Sequence, residues 1–247
     1  MIFIKKNFLY LKTASSLKFI YSLIIPFFYD DEKELIYIHI GKCGGGTLRD
    51  ALKSSEIIKK NFNKLTDIHI KKPPIKKKSK YVILIRNPLD RSISAFNYQL
   101  KLMNSGVEYY RFKKEHKILK KYKSLENIAK KLNINDKLNL KVAKEFKTIH
   151  HLEYDIEYYL KKLIKFINKK QIFAIFVTDY LNEDIKNKLN IKNNKHTRKN
   201  IVAKNKKFLS NQSKINLKKF LTKEYEIIDK LAKMYNFSAK HLASLKK

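Results

Sequence analysis

Glycine is nearly absent from this chain except in one short segment. Of the five glycines among 247 residues, four stand at positions 41, 44, 45 and 46. The residues just before them (35–40, LIYIHI) form an apolar run typical of a buried strand, and the segment from Thr47 to Lys59 has the apolar spacing of a helix. The sequence therefore predicts a strand, a glycine-rich loop and a helix, in that order.

Apolar runs elsewhere in the chain extend this pattern into a fold. Further strands are predicted at 65–70, 81–86 and 172–178. Helices are predicted at about 90–103, over most of 113–168, at 182–189 and as a pair from about 210 to 245. Apolar strands that alternate with helices predict an α/β protein, a P-loop-type three-layer fold with a mostly parallel central sheet and helices on both faces. No linker divides the chain, so we expect a single domain over 31–247.

Residues 1–30 are apolar and basic, and two interpretations of them stay open. They form either a helix that packs on the domain or a segment that lies on a membrane surface with its lysines toward the headgroups. Their apolar stretches are shorter than the ~18 residues that a membrane span needs. The lone cysteine, Cys43, excludes a disulfide framework and a cysteine-based zinc site. We expect a cytoplasmic protein, either free in the cytoplasm or at the cytoplasmic face of a membrane.

The charge balance is strongly positive but says little about function. Lys and Arg number 56 against 22 Asp and Glu, a formal net charge of +34, and such a field attracts polyanions. Only five of the 56 are arginines, and Ile, Asn, Tyr and Phe are abundant, as in proteins from A+T-rich genomes. No zinc-finger, RRM or KH pattern is present and the basic residues are spread along the chain. We expect no nucleic-acid partner and keep a basic nucleic-acid-binding protein as an alternative.

The glycine-rich loop has the properties of an anion site. Backbone N–H groups and the dipole of the following helix favour negative charge, while Lys42 adds a full positive charge and Thr47 a hydroxyl. Lys42 precedes the glycines, whereas a Walker A loop needs its lysine after the last glycine, and the spacing does not fit G-x-G-x-x-G. The alternative is an ordinary flexible loop that binds nothing.

A second candidate site follows the predicted strand 81–86. Arg86 lies at the carboxyl end of that strand, where ligands bind in parallel sheets. A guanidinium can donate two parallel hydrogen bonds to a phosphate, and Ser94 in the next helix can reach the same group. The alternative is that Arg86 pairs with Asp90 and only fixes the turn.

Together the two segments resemble the sulfotransferases that use 3′-phosphoadenosine 5′-phosphosulfate (PAPS), especially carbohydrate O-sulfotransferases such as the heparan sulfate 2-O-sulfotransferase group. The first motif of that group reads like H-I-P-K-[CT]-G-G-T-S-[LF], and here HIGKCGGGTL begins at His39. The second reads like R-D-P-[IL]-x-R-x-x-S, and here RNPLDRSIS begins at Arg86. A basic S-H-L-R-K-T stretch is similar to KHTRKN at 195–200. The resemblance extends, with gaps, from about 35 to 235.

The resemblance implies transfer of a sulfuryl group from PAPS to an acceptor hydroxyl, on a carbohydrate, without a metal. Lys42 would neutralise the bridging oxygen as the sulfuryl group leaves. Arg86 and Ser94 would hold the 3′-phosphate, and Arg198 would close over the nucleotide. The backbone N–H groups that would cradle the 5′-phosphosulfate belong to Cys43, Gly44, Gly45, Gly46 and Thr47, with the Thr47 hydroxyl added.

Three positions depart from the family pattern. Gly41 stands where a proline is usual, Gly46 where a hydroxyl residue is usual, and Asn87 where an aspartate is common. None of these changes removes a main charge from either motif.

A general base is also needed, because the acceptor hydroxyl must lose its proton. The candidate is His69, near the carboxyl end of the second predicted strand, and the resembling group carries a histidine in this interval between the motifs. The alternative for His69 is a structural histidine. His39 alternates with buried isoleucines and is interpreted first as structural, while His150 and His151 either line the acceptor site or belong to a half-buried helix.

A different enzyme class also stays open. A P-loop nucleotide phosphotransferase, such as a kinase, would use a similar loop, but the lysine position and the lack of a clear Mg²⁺-holding Asp motif disfavour it. The sequence does not determine the oligomeric state.

Overall fold

The computed structural model describes residues 33–105, 113–191 and 208–247. Its strands are β1 (Glu34–Ile38), β2 (Lys64–Ile68), β3 (Lys80–Ile85), β4 (Asn133–Ile134), β5 (Lys137–Leu138) and β6 (Ile172–Val177). Its α-helices before β6 are α1 (Gly45–Ser54), α2 (Glu56–Asn61), α3 (Pro88–Asn104), α4 (Lys113–Tyr122), α5 (Leu125–Leu132), α6 (Leu140–Phe146), α7 (His150–Glu153) and α8 (Ile156–Phe166). Those after it are α9 (Leu181–Leu189), α10 (Asn211–Phe220), α11 (Thr222–Met234) and α12 (Ala239–Lys246).

The central sheet has four strands in the order β2-β1-β3-β6, and every neighbouring pair is parallel. In register, Tyr37 of β1 lies beside Val82 of β3, and Ile83 lies beside Ile175 of β6. β1 is buried along its whole length, as are all but one residue each of β3 and β6. These three strands are buried on both faces and are therefore apolar without alternation. β2, at the edge of the sheet, has only half-buried and exposed residues. All four predicted strands are confirmed.

Helices cover the sheet on both faces. The chain leaves β1 for β2 in one direction along the sheet and leaves β3 for β6 in the other. Because such crossovers are right-handed, opposite directions place their helices on opposite faces. Accordingly α1, α2 and α9 pack together, α8 packs on α11, and both groups share a core with the sheet. The predicted three-layer α/β architecture with a parallel sheet is confirmed.

Beside this layered unit, a second hydrophobic cluster joins helices that lie between β3 and β6 to α10. Its buried side chains include Phe96 of α3, Ile128 of α5, Phe146 of α6 and Leu217 of α10. The prediction that 113–168 is largely helical is therefore confirmed, and these helices build a core of their own.

The helix boundaries differ from the predicted ones in three places. The single helix predicted over 47–59 is two helices, because Ser55 is extended and its hydroxyl donates to Leu189 O at 3.3 Å. A short hairpin, β4–β5, interrupts the helical region at Asn135 and Asp136, whose φ values of 48° and 61° match a type I′ turn. The predicted final pair of helices is three helices, α10 to α12.

Several predicted features fall outside the described residues. They are the N-terminal segment 1–30 and the basic stretch KHTRKN at 195–200, with Arg198 within it. Within the three described ranges, no helix is long and apolar enough to cross a bilayer. The single-domain assignment of 31–247 stays a prediction.

Candidate active site

The site lies at the carboxyl edge of the sheet, between β1 and β3. The chain turns toward β2 after β1 and toward β6 after β3, so these paths diverge at a topological switch point. Open α/β sheets bind ligands at such a switch point. The glycine loop follows β1 and Arg86 follows β3, so the fold brings the two predicted sites together at this switch point.

The glycine loop is shorter than predicted, because α1 begins inside it. Lys42 and Gly44 have positive φ values, 70° and 92°, which turn the chain sharply before the helix starts at Gly45. Among the described residues, no side chain caps α1, and its first turn carries no acid. The first-turn N–H groups, those of Gly45, Gly46 and Thr47, have no partner within the helix and can meet an anion.

Two of the loop glycines are required by close packing against histidines. A Cβ at Gly41 would lie 2.5 Å from His151 Nδ1, and one at Gly45 would overlap the His39 imidazole. A Cβ at Gly46 would meet nothing within 4 Å, so this position has room for the hydroxyl residue usual in the resembling family. Gly41 and Gly45 therefore bring two imidazoles against the loop.

The Lys42 ammonium lies over an aromatic ring that sequence reasoning missed. Its Nζ is 3.6 Å from the centroid of the Tyr98 ring, a cation–π contact. Burial, helped by the charge of Arg86, lowers the pKa of Lys42 to about 8. Tyr98 follows Ser94 by four residues on α3, so the helical period places both on one face, a signal that could have found it.

Arg86 contacts the glycine loop. Its Nη1 donates to Lys42 O at 3.2 Å, and its Nε is buried without a hydrogen-bond partner among the described residues. Asp90, the acid proposed as its structural partner, lies instead 3.3 Å from Lys247 Nζ. Ser94 is half-buried in the second turn of α3. One guanidinium donor beside the glycine loop therefore has no hydrogen-bond partner in the part of the chain that the structure describes.

Three histidines from separate elements gather beside the loop. The His39 and His69 rings stack with centroids 4.4 Å apart, and the His151 ring lies 6.4 Å from that of His69. Burial, helped by neighbouring positive groups, lowers the pKa of His39 to about 3 and that of His151 to about 2. His39 and His151 are therefore neutral at neutral pH and are poor proton acceptors.

Hydrogen bonds distinguish the proton positions on two of these rings. Arg49 Nη2 donates to His39 Nδ1 at 2.9 Å, so in neutral His39 the proton is on Nε2. His69 Nδ1 lies 3.0 Å from the carbonyl oxygen of His39, to which it can only donate. In neutral His69 the free lone pair is therefore on Nε2, the geometry of a general base.

Thr178, at the end of β6, ties the loop to the sheet and was missed by sequence reasoning. Its hydroxyl lies 2.7 Å from Cys43 O and 3.1 Å from Ile85 O. The Cys43 side chain is fully buried, and burial raises the pKa of its thiol to about 11. Cys43 therefore packs in the core, and any contribution it makes to anion binding comes from its backbone.

The departure at Asn87 has a structural reason. Its Oδ1 accepts from Asp90 N at 3.0 Å and caps α3, while its Nδ2 donates to backbone oxygens of Leu245 and Lys247 at 3.0 and 3.1 Å. An aspartate could cap the helix but could not donate to α12. The amide therefore joins the second motif to the last helix.

Comparisons with known proteins add no family to this description. No protein-family model, curated protein or solved structure matches the chain. In the part of the chain that the structure describes, no group of three or more His, Cys, Asp or Glu side chains is arranged to hold a metal ion.

Proposed function

We propose that this chain is a sulfotransferase that moves a sulfuryl group from PAPS to a hydroxyl of an acceptor, a carbohydrate. The observation that carries the proposal is the pair of cationic groups at the switch point between β1 and β3. Uncapped helix N–H groups follow Lys42, and Arg86, which contacts the same loop, has a buried Nε without a hydrogen-bond partner among the described residues. Two neighbouring cationic groups suit a donor with two anionic groups, the 5′-phosphosulfate and the 3′-phosphate.

In the proposed reaction the residues supply position and charge. The first-turn N–H groups of α1 bind the 5′-phosphosulfate, and Lys42 stabilises the negative charge that grows on the bridging oxygen as its bond to sulfur breaks. His69 Nε2 takes the proton of the acceptor hydroxyl while that oxygen bonds to sulfur. The products are the sulfate ester and 3′,5′-ADP (PAP). Arg86 and Ser94 hold the 3′-phosphate, and Arg198 is proposed to contact the nucleotide.

The test of this function is binding of PAP, 5′-AMP and ATP by calorimetry without magnesium. We expect wild type to prefer PAP over 5′-AMP, and Arg86→Ala to weaken PAP binding about 10²-fold, because a hydrogen bond to a charged group contributes up to about 3 kcal/mol. Binding of 5′-AMP should change little. The matched control is Lys186→Ala, which removes an exposed cation on α9.

Equal affinity of wild type for PAP and 5′-AMP would overturn the proposal, because no 3′-phosphate site would then exist. ATP binding that requires magnesium would instead indicate a phosphotransferase. A thermal melt of Arg86→Ala shows whether loss of its bond to Lys42 O has unfolded the variant.

The acceptor is proposed to lie in a groove of about 510 Å³, which is connected to the candidate base through one of its lining residues. Tyr158 lines this groove and donates to Ile70 O at 3.0 Å, one residue from His69. Phe166, 56% exposed, offers a ring on which a sugar can stack. Five lysines and three acids line the groove: Lys72, Lys147, Lys161, Lys162 and Lys165, with Glu153, Asp155 and Glu157. The positive excess favours an anionic acceptor.

Neutralising groove lysines should weaken acceptor binding and leave nucleotide binding alone. With O-desulfated heparin oligosaccharide as the probe, Lys162→Ala/Lys165→Ala should raise the KM for the probe about tenfold at low salt and leave the Kd for PAP unchanged. The control, Lys53→Ala/Lys186→Ala, removes the same charge from exposed positions on α1 and α9. Equal effects of the two pairs would mean that the net field, rather than this groove, binds the acceptor.

A further inference from the structure

The residue after the candidate base has an unusual backbone. Ile70 has a φ of 70°, in the left-handed region that β-branched residues avoid. The strand ladder ends just before it, where His39 N donates to Ile68 O at 2.9 Å. A strained backbone conformation persists only where the surrounding structure enforces it, and such strain concentrates at functional sites.

Two adjacent tyrosines of α8 bind both backbone polar groups of Ile70. Ile70 N donates to the Tyr159 hydroxyl at 2.8 Å, and the Tyr158 hydroxyl donates to Ile70 O at 3.0 Å. Both polar groups of one strained residue are thus bound by side chains almost 90 positions away. Tyr159 is 1% exposed, and burial raises its pKa to about 12, so its hydroxyl keeps its proton at neutral pH.

We propose that Tyr158 and Tyr159 are positioning residues, which hold Ile70 in its left-handed conformation and so fix the direction of the His69 imidazole. Because the chain bends at Ile70, two residues after the last residue of β2, the backbone angles of Ile70 help to set where β2 ends. Because β2 ends there, His69 Nδ1 can reach His39 O, and Nε2 is left free for the acceptor proton. This role in transfer rests on the proposed function; the geometric role does not.

The contact geometry argues against a purely structural tyrosine pair. A buried backbone N–H and carbonyl need partners wherever they lie, but a glycine at position 70 would adopt this φ without restraint. The chain instead has an isoleucine in the strained conformation and two hydroxyls that hold it. Two hydroxyls thus bind a residue in a conformation that its side chain disfavours, and that residue is next to the candidate base.

The test combines a histidine NMR measurement with turnover. Long-range ¹H–¹⁵N spectra of wild type should show neutral His69 with its proton on Nδ1. In Tyr158→Phe/Tyr159→Phe this preference should give way to a mixture of tautomers. PAP release from PAPS should fall at least tenfold, and the Kd for PAP should stay within twofold. Tyr81→Phe is the matched control, since the Tyr81 hydroxyl also binds two backbone groups, Pro74 O and Lys76 N, each at 2.9 Å.

A double variant that keeps the wild-type His69 tautomer would overturn the proposal, as would an equal tautomer shift in Tyr81→Phe. If the double variant does not fold, Tyr158→Phe alone gives the same two readouts, because Tyr158 is only half-buried. If the double variant loses the tautomer preference but wild type does not bind PAP, the positioning role is supported and the sulfotransferase proposal is rejected.

Discussion

Lys42→Met should lower the rate of PAP release from PAPS by about 10²–10³-fold, the loss expected when one stabiliser of developing charge is removed. Methionine keeps an unbranched apolar chain against the Tyr98 ring but has no charge to place near the leaving oxygen. Lys42 stands three residues before α1 begins, and its Nζ lies 3.6 Å from the centroid of the Tyr98 ring, so its ammonium is held beside the loop. The assay needs no identified acceptor, since water can accept the sulfuryl group.

Deprotonation of Lys42 should lower activity at high pH, and this effect can be distinguished from the titration of a general base. Burial lowers the pKa of Lys42 to about 8, so its positive charge is present below this pH and is lost above it. In wild type, kcat/KM should therefore fall about tenfold per pH unit above about 8. Lys42→Arg keeps its charge throughout this range, so whatever rate it retains should lack this alkaline limb.

An alkaline limb that persists unchanged in Lys42→Arg would assign the titration to another group. A rate for Lys42→Met within threefold of wild type would show that Lys42 does not act on the leaving oxygen. Tyr81→Phe again serves as the control, because it lies on β3 and leaves the Lys42 contacts intact.

Much of the fold could be predicted because short stretches of sequence are enough to identify its strands and helices. The strands β1, β3 and β6 are apolar runs buried along almost their whole length, and the positions of Arg86 and the glycine loop follow from being next to strand ends. In a parallel sheet, the carboxyl ends of all the strands lie on one edge. Sequence reasoning could therefore place His69 and Arg86 at the same edge without knowing any distance between them.

The contacts within the site could not be predicted, because they join residues far apart in sequence. Thr178 meets Cys43 across 135 positions, and Tyr159 meets Ile70 across 89. A threonine after a strand or a tyrosine on a helix has no local pattern that distinguishes it from its neighbours. The start of α1 at Gly45 also escaped prediction, since glycine is a poor helix residue and is accepted here because His39 packs against it.

The second arginine of the second motif should matter for stability rather than for the nucleotide. Arg91 is fully buried and its Nη2 lies 3.4 Å from Glu224 of α11, itself 1% exposed. Arg91 Nη1 donates to His151 O at 2.7 Å, and Glu224 Oε2 accepts from Ile156 N at 3.2 Å. One ion pair thus joins α3, α7, α8 and α11 beneath the site.

Arg91→Met should lower the free energy of unfolding by about 3–5 kcal/mol in urea titrations at pH 7, because it leaves Glu224 as an uncompensated buried charge. Burial already raises the pKa of Glu224, and loss of Arg91 raises it further. Since a raised pKa favours folding in acid, the deficit should shrink as the pH falls toward 4.5. Arg91→Met/Glu224→Met should recover most of the stability. A constant deficit across this pH range, or no recovery in the double variant, would mean that lost packing rather than buried charge causes the effect.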